Sequence, residues 1–178
     1  MVKAIAFDLA RVFIKIKDIK LPKVEEELSL TFDYKVGEEL FWDWARNLSG
    51  LEEKENKEIS RKIINILYEV REPDIFEKLP PLKFATASNH VSLIKDWLKE
   101  KGVYDKFYCH VISEDIHFQK PSKEFYEVLI NRLGEKPENI LFVDDRLTNV
   151  EGAKNLGLRT LHYDENLSLS GSILKEIK

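Results

Sequence analysis

Residues 3–12, KAIAFDLARV, carry a short apolar run that stops at Asp8, and this reads as a buried strand delivering a carboxylate at its carboxyl end. Four later runs share the form: LKFATA at 82–87, YCHVI at 108–112, ILFV at 140–143 and RTLHY at 159–163. Continuous apolar runs of this length suit strands covered on both faces. Amphipathic helices separate them. Val91, Ile94, Trp97 and Leu98 line one face before Gly102, and Phe125, Leu129 and Leu133 line another before Gly134. Ser122 is placed to cap the second of these helices, and Thr148 with Glu151 has the spacing of a capping box for a third that ends near Gly157. The last stretch, SGSILKEIK, is at most a short terminal helix. This alternation predicts an α/β fold with a doubly wound parallel sheet of about five strands and right-handed crossovers.

The first strand is followed by about 65 residues without a strand signal, far more than the 2–6 residues of an ordinary strand-to-helix loop. A helical insertion accounts for them. Phe32, Val36, Leu40, Phe41, Trp44 and Leu48 follow helical spacing, as do Ile59, Ile63, Ile66, Leu67 and Val70, so two antiparallel helices would bury these faces against each other. Trp42 and Trp44 read as core of that small bundle and not as a ligand cage. The charge run EEKENKE at 52–58 reads as a solvated helix start.

Composition narrows the function. With 34% charged residues and a net charge of -4, the chain has no broad basic field for nucleic acid. No apolar run approaches the ~18 residues of a membrane span, and VKAIAF is too short for a signal-peptide core. The one cysteine, Cys109, has no partner for an internal disulfide, and we expect a buried, inert thiol in a reducing, cytoplasmic setting.

Asp8, Ser88, Lys120 and the pair Asp144-Asp145 each follow a strand, where ligands bind in open parallel sheets. In AFDLARV, TASN, QKP and FVDDRLTN, taken in this order, the chain resembles the haloacid dehalogenase superfamily, in particular phosphatase-like members with a helical cap inserted after the first motif. The resemblance implies a Rossmann-like core over 1–13 and 81–178, a cap over 14–80, and chain-order strands arranged five, four, one, two, three. It also implies roles. Asp8 would attack phosphorus and form an aspartyl-phosphate. Mg²⁺ would be held by Asp8, the backbone carbonyl of Ala10 and Asp145, with Asp144 a ligand through water or an orienter, because a hard cation takes oxygen donors and keeps waters. Ser88 would bind a phosphoryl oxygen, and Lys120 would hold Asp8 and the phosphate together. Asn89 and Arg11 are expected at the substrate, a small phosphorylated or anionic metabolite. Asn149 is expected to be a turn or supporting residue and Arg146 to be exposed. Such a protein would be a monomer or a homodimer.

The chain departs from that pattern twice: Ala10 stands where family phosphatases carry a second Asp, and Arg11 stands where glycine follows it. A side-chain acid or base typically contributes about 10²–10⁴-fold, so Ala10 points to a weakened or leaving-group-selective hydrolase. Mg²⁺ binding without efficient monoesterase activity is expected, with activity gained in Ala10→Asp; equal rates in the two proteins would contradict it. His90 and His117 are candidate surrogates, although a loop histidine is the plainer reading of each, and His110 and His162 lie in strands as structural residues. The alternative is a degenerate relative that binds Mg²⁺ and an anion without turnover. A carbon–phosphorus hydrolase would need an imine-forming lysine, and nothing singles out Lys15, Lys17 or Lys20; a haloacid dehalogenase would lack the acidic pair.

A single Gln, one Met and one Cys beside abundant Lys and Glu match heat-adapted composition. The expected thermal midpoint lies above the mesophilic range of about 45–65 °C; calorimetry placing it inside that range would contradict this.

Overall fold

The computed structural model describes residues 1–30, 32 and 41–178. Its strands are β1 (Ala4–Phe7), β2 (Ile14–Ile16), β3 (Tyr68–Val70), β4 (Lys83–Ser88), β5 (Cys109–Ile112), β6 (Ile140–Asp144) and β7 (Arg159–His162). Its helices are α1 (Lys23–Leu30), α2 (Phe41–Ser49), α3 (Glu53–Leu67), α4 (Ile75–Lys78), α5 (Ile94–Glu100), α6 (Ser113–Ile116), α7 (Lys123–Leu133), α8 (Leu147–Asn155) and α9 (Leu169–Glu176).

Five strands form one parallel sheet in the order β5-β4-β1-β6-β7, so the fold is the Rossmann-like arrangement expected. All four residues of β1 are fully buried, and they alternate in size. Ala4 and Ala6 join Ala85 and Ala87 on the face that packs Phe125, Tyr126 and Leu129 of α7. Ile5 and Phe7 face the other way, into a larger core with Phe13, Phe84, Ile94 and Trp97. Small residues on one face let a helix approach closely while large ones fill the deeper layer behind. Because β1 lies between β4 and β6, the chain leaves the sheet at Asp8, Ser88 and Asp144 along one edge.

The span between β1 and β4 contains strands that the sequence reading lacked. Ile14–Ile16 pairs antiparallel with Tyr68–Val70, with Ile14 opposite Val70 and Ile16 opposite Tyr68, so the ends of the helical stretch are zipped together. Val70 is therefore a strand residue and not the end of a helical face. On α3 the buried face is Ile63, Ile64 and Leu67, with Ile59 packed beside it, and Ile66 is turned outward. Phe32, Phe41, Trp42 and Ala45 are buried in the same core as this face, as expected of a small bundle. Trp42 adds a polar tie, its indole N–H donating to Glu114 Oε1 at 2.7 Å. The charge run at 52–58 does open a helix, but Asn56 inside it is fully buried and bonds Ser49 Oγ and the Leu51 carbonyl. Val36 and Leu40 lie outside the described residues.

Two cap assignments part ways. Ser122 caps α7, its hydroxyl accepting from the Phe125 N–H at 3.4 Å. Thr148 caps nothing: it sits inside α8, whose first turn is held by Asp144 Oδ1 accepting from the Arg146 N–H at 2.8 Å. The acid after β6 took the position the hydroxyl was assigned. Cys109 is half-buried at the edge of β5, and burial pushes its thiol up, which keeps it in the unreactive form.

Gly152 lets α8 seat on the loop after Lys120. A Cβ there would lie 2.9 Å from Pro121 Cβ and 3.0 Å from the Pro121 carbonyl oxygen. Gly152→Ala gains about 1 kcal/mol in helix propensity but overpacks this contact at a cost of about 1–3 kcal/mol. A net fall in thermal midpoint is expected; an unchanged or higher midpoint would show that the Pro121 loop yields freely.

Candidate active site

Asp8 leaves β1 with its N–H on the Val143 carbonyl at 2.8 Å, which holds the backbone in line with β6. Its Oδ1 accepts from the Leu9 N–H at 2.7 Å and from the Lys120 ammonium at 2.9 Å. The same ammonium reaches Asp144 Oδ2 at 2.6 Å, and the Lys120 side chain is 1% exposed. One buried cation therefore joins the acid after β1 to the acid that ends β6.

Each member is held in turn. Asn89 grips the backbone of Lys120 from both sides, its Oδ1 accepting from the Lys120 N–H at 2.8 Å and its Nδ2 donating to the Lys120 carbonyl at 2.9 Å. Asn149 donates to both Asp144 oxygens at 3.1 Å, and its own carbonyl accepts from the Tyr126 hydroxyl at 2.7 Å. Asn89, expected at the substrate, lines the cavity while its amide is engaged on the Lys120 backbone. Asn149 proves to be the supporting residue expected, although its partner was not legible.

Asp8, Asp144 and Asp145 offer carboxylate oxygens that all lie within 4.8 Å of one another. Burial pushes the Asp8 carboxyl up to about 7; Lys120 pulls it back, and the charges of Asp144 and Asp145 add to the rise. Asp145 is also raised, by burial first and then by Asp144. For Lys120, burial works against the charged form, but the charges of Asp144 and Asp8 outweigh it and raise the ammonium. Three carboxylates facing one ammonium leave two negative charges, the number a divalent cation balances. Hard oxygen donors at this spacing fit Mg²⁺.

The turn after Asp8 shows why glycine is expected at its third position. Arg11 has φ 65°, in the left-handed region that costs a residue with a Cβ roughly 1–2 kcal/mol. Arg71, just past β3, holds the turn in place: its Nη2 donates to the Arg11 carbonyl at 2.7 Å, its Nε to the Val12 carbonyl at 2.8 Å, and its N–H to the Phe13 carbonyl at 2.9 Å. The Arg11 guanidinium pairs with Glu165 at 3.7 Å on the surface.

A cavity of about 160 Å³ opens above these groups. Asp8, Ala10, Lys120 and Asp145 line its charged part, with Asn89, Arg11, Arg146 and Asn149 beside them, while Ile16, Leu30, Phe32, Tyr68 and His90 form an apolar and aromatic wall. Ser88 is buried at the end of β4, next to Asn89 but outside this lining. Arg146 is exposed, as expected. His90 lines the cavity; His117 does not, being exposed at the end of α6 with φ 58°. His110 packs on Tyr104 at 4.0 Å between ring centres, and His162 bonds the Asp145 carbonyl at 2.9 Å. Among the described residues, Lys15, Lys17 and Lys20 are absent from the cavity wall.

Residues 2–157 match the model of the haloacid dehalogenase-like hydrolases. A glyceraldehyde 3-phosphate phosphatase of Methanopyrus kandleri is 37% identical over 71 residues, 38% of this chain and 30% of that protein. A flavin mononucleotide hydrolase of Arabidopsis thaliana is 33% identical over 79 residues, 44% of this chain and 31% of that protein. Each match thus spans under a third of the relative. Among solved structures, a predicted hydrolase of the same family from Porphyromonas gingivalis superposes with TM-score 0.76 at 23% identity, over 100% of this chain and 98% of that one. An enzyme of the family from Bacteroides thetaiotaomicron, in complex with magnesium and inorganic phosphate, gives TM-score 0.73 at 17% identity, over 96% and 98% of the two chains.

Arg71→Ala removes a forked donor from two carbonyls of a strained turn. A loss of roughly 2 kcal/mol is expected from hydrogen bonds to a charged group, and Arg71→Lys should not restore it, since a point charge cannot serve both carbonyls. Chemical denaturation showing either variant as stable as the parent would contradict this.

Proposed function

We propose that this chain, which belongs to the haloacid dehalogenase-like hydrolase family, is a phosphatase-type enzyme acting on a small phosphorylated metabolite. The observation that carries the reading is the group at the carboxyl edge of the sheet: Asp8 paired to buried Lys120, with Asp144 and Asp145 within reach, beneath a cavity. In this reading Asp8 attacks phosphorus and carries the phosphoryl group until water takes it, so that one difficult displacement becomes two easier ones. Lys120 orients Asp8 and offsets charge on the transferring group. Asp8, Asp144, Asp145 and the Ala10 carbonyl would hold Mg²⁺, which when bound supplies charge neutralisation and alignment of the phosphoryl oxygens. Arg11 and Arg146 at the rim favour an anionic ligand. Helices α1–α3 act as a cap, bringing Ser29, Leu30 and Phe32 to the mouth of the cavity where a substrate is chosen.

Ala10 has no proton to give, and this favours a second reading in which the protein binds Mg²⁺ and an anion without turnover. Substrate choice separates the two. Acyl and aryl phosphates have leaving groups that need no acid. Acetyl phosphate should be hydrolysed in the presence of Mg²⁺ and not after chelation, and Asp8→Asn should lose at least ~10³-fold, the scale of removing a nucleophile. Mg²⁺ binding by calorimetry with no acetyl phosphate turnover would establish the binding protein instead.

A further inference from the structure

The cavity has a charged floor and a wall of different character, and the wall bears on the body of the substrate. Its described part comes from the ribbon, from α1 and from the loop after β4: Ile16 opposite Tyr68 across β2 and β3, Leu30 at the end of α1, Phe32 just beyond it, and His90. The Phe32 and Tyr68 rings both pack on the His90 ring, at 5.4 and 5.9 Å between centres, so three rings make one continuous surface. Polar atoms of this surface bond within the protein: Tyr68 Oη lies 3.1 Å from His90 Nε2, and His90 Nδ1 lies 3.0 Å from the Val91 carbonyl. Ile16 and Leu30 are 37% and 72% exposed, apolar side chains held at the mouth of a site whose floor is charged.

Among the described residues, this wall offers little to the hydroxyls of a sugar or polyol. Asn89 is engaged on the Lys120 backbone through both ends of its amide, the Asn149 amide nitrogen donates to Asp144, and the Ser29 hydroxyl donates to the Glu26 carbonyl at 2.7 Å. Arg11 and Arg146 stand with the charged groups, Arg11 paired with Glu165 at 3.7 Å. A body rich in hydroxyls would leave them unpaired against apolar side chains, whereas an apolar ring would cover those side chains and exclude water from them. Size sets a bound. A cavity of about 150 Å³ holds one benzene ring, and this one measures about 160 Å³, so a single ring is the largest body it encloses.

The leaving group points the same way. Ala10 has no proton to give, so the departing oxygen must bear its own negative charge. A phenol ionises near pH ~10, whereas an alcohol is about as weak an acid as water, whose pKa is about 15.7. Resting on the phosphoryl-transfer reading above, we propose that the substrates are aryl monophosphates bearing a single apolar ring, and that Ile16, Leu30 and Phe32 select them. As the Asp8 oxygen bonds phosphorus, the ester P–O bond breaks and its electron pair leaves on the phenolate, which takes a proton from solvent. Water then attacks phosphorus, the Asp8–phosphorus bond breaks, and the water proton returns to solvent. Ester and water become phenol and phosphate, and the Asp8 carboxylate is restored.

Three esters assayed with Mg²⁺ separate the two arguments: phenyl phosphate, benzyl phosphate, which carries the same ring on an alkyl oxygen, and glycerol 3-phosphate, an alkyl ester with a polar body. Phenyl phosphate should exceed benzyl phosphate in kcat/KM by at least about 10²-fold, the scale of an absent general acid. Benzyl phosphate should exceed glycerol 3-phosphate by at least about 10-fold, the scale of a small apolar group in an apolar pocket. Ile16→Thr combined with Leu30→Gln, both at exposed positions, should erase most of that second advantage. Equal kcat/KM for phenyl and benzyl phosphate, a glycerol 3-phosphate value matching that of benzyl phosphate, or a second ratio unmoved by the double variant would each overturn the proposal while leaving phosphoryl transfer standing. No turnover of the three esters or of acetyl phosphate would instead remove the phosphoryl-transfer reading, and the proposal with it.

Discussion

The Lys120 ammonium is the interaction on which the site depends. Three carboxylates are gathered at one sheet edge, two of them buried, and like charges at contact distance in a medium of low effective dielectric repel by several kcal/mol. A single buried cation bonded to Asp8 and Asp144 makes that cluster tolerable. The arrangement is costly to desolvate and stabilises little compared with an apolar core, so its presence reflects chemistry more than stability. Everything around it fixes position. Asn89 clamps the backbone of Lys120, Asn149 and the Arg146 N–H orient Asp144, and Gly152 lets α8 seat against Pro121.

The sheet order makes this possible. Asp8 and Asp144 come from neighbouring strands, and β4 on the other side carries Asn89 toward the loop of Lys120. The second constraint is the turn at Arg11, where a left-handed residue is held by Arg71 from the far end of the helical insertion. Because β2 and β3 are paired, that insertion is tied to the loop that follows Asp8. The same ribbon presents Tyr68 to the cavity, so the element that anchors the insertion also delivers a side chain to the site.

Much of this was legible because it follows from local rules. Asp8, Asp144 and Asp145 sit where apolar runs of the sheet stop, and Lys120 lies in the loop beyond β5 and α6. The β2–β3 ribbon was not legible. IKI and YEV are three residues each, shorter than the window in which a period of two can be recognised, and Ile14 pairs with a residue 56 positions away. Asn89 and Asn149 illustrate a second limit: an amide beside an acid or a lysine can face a ligand or brace its neighbour, and only the geometry decides. Thr148 illustrates a third, since the capping pattern was present but the Asp144 carboxylate already served the first turn of α8. Arg71 carried no signal, because the three carbonyls it holds in the turn lie 58–60 positions away, and the sequence does not display that turn's backbone conformation.

In the proposed reaction Asp8 itself carries the phosphoryl group. The direct measurement is mass spectrometry of the protein quenched in acid during turnover of acetyl phosphate with Mg²⁺, followed by peptide mapping. A phosphoryl adduct is expected on the peptide containing Asp8, absent from Asp8→Asn. Steady turnover with no adduct at Asp8, or with the adduct on another residue, would contradict it.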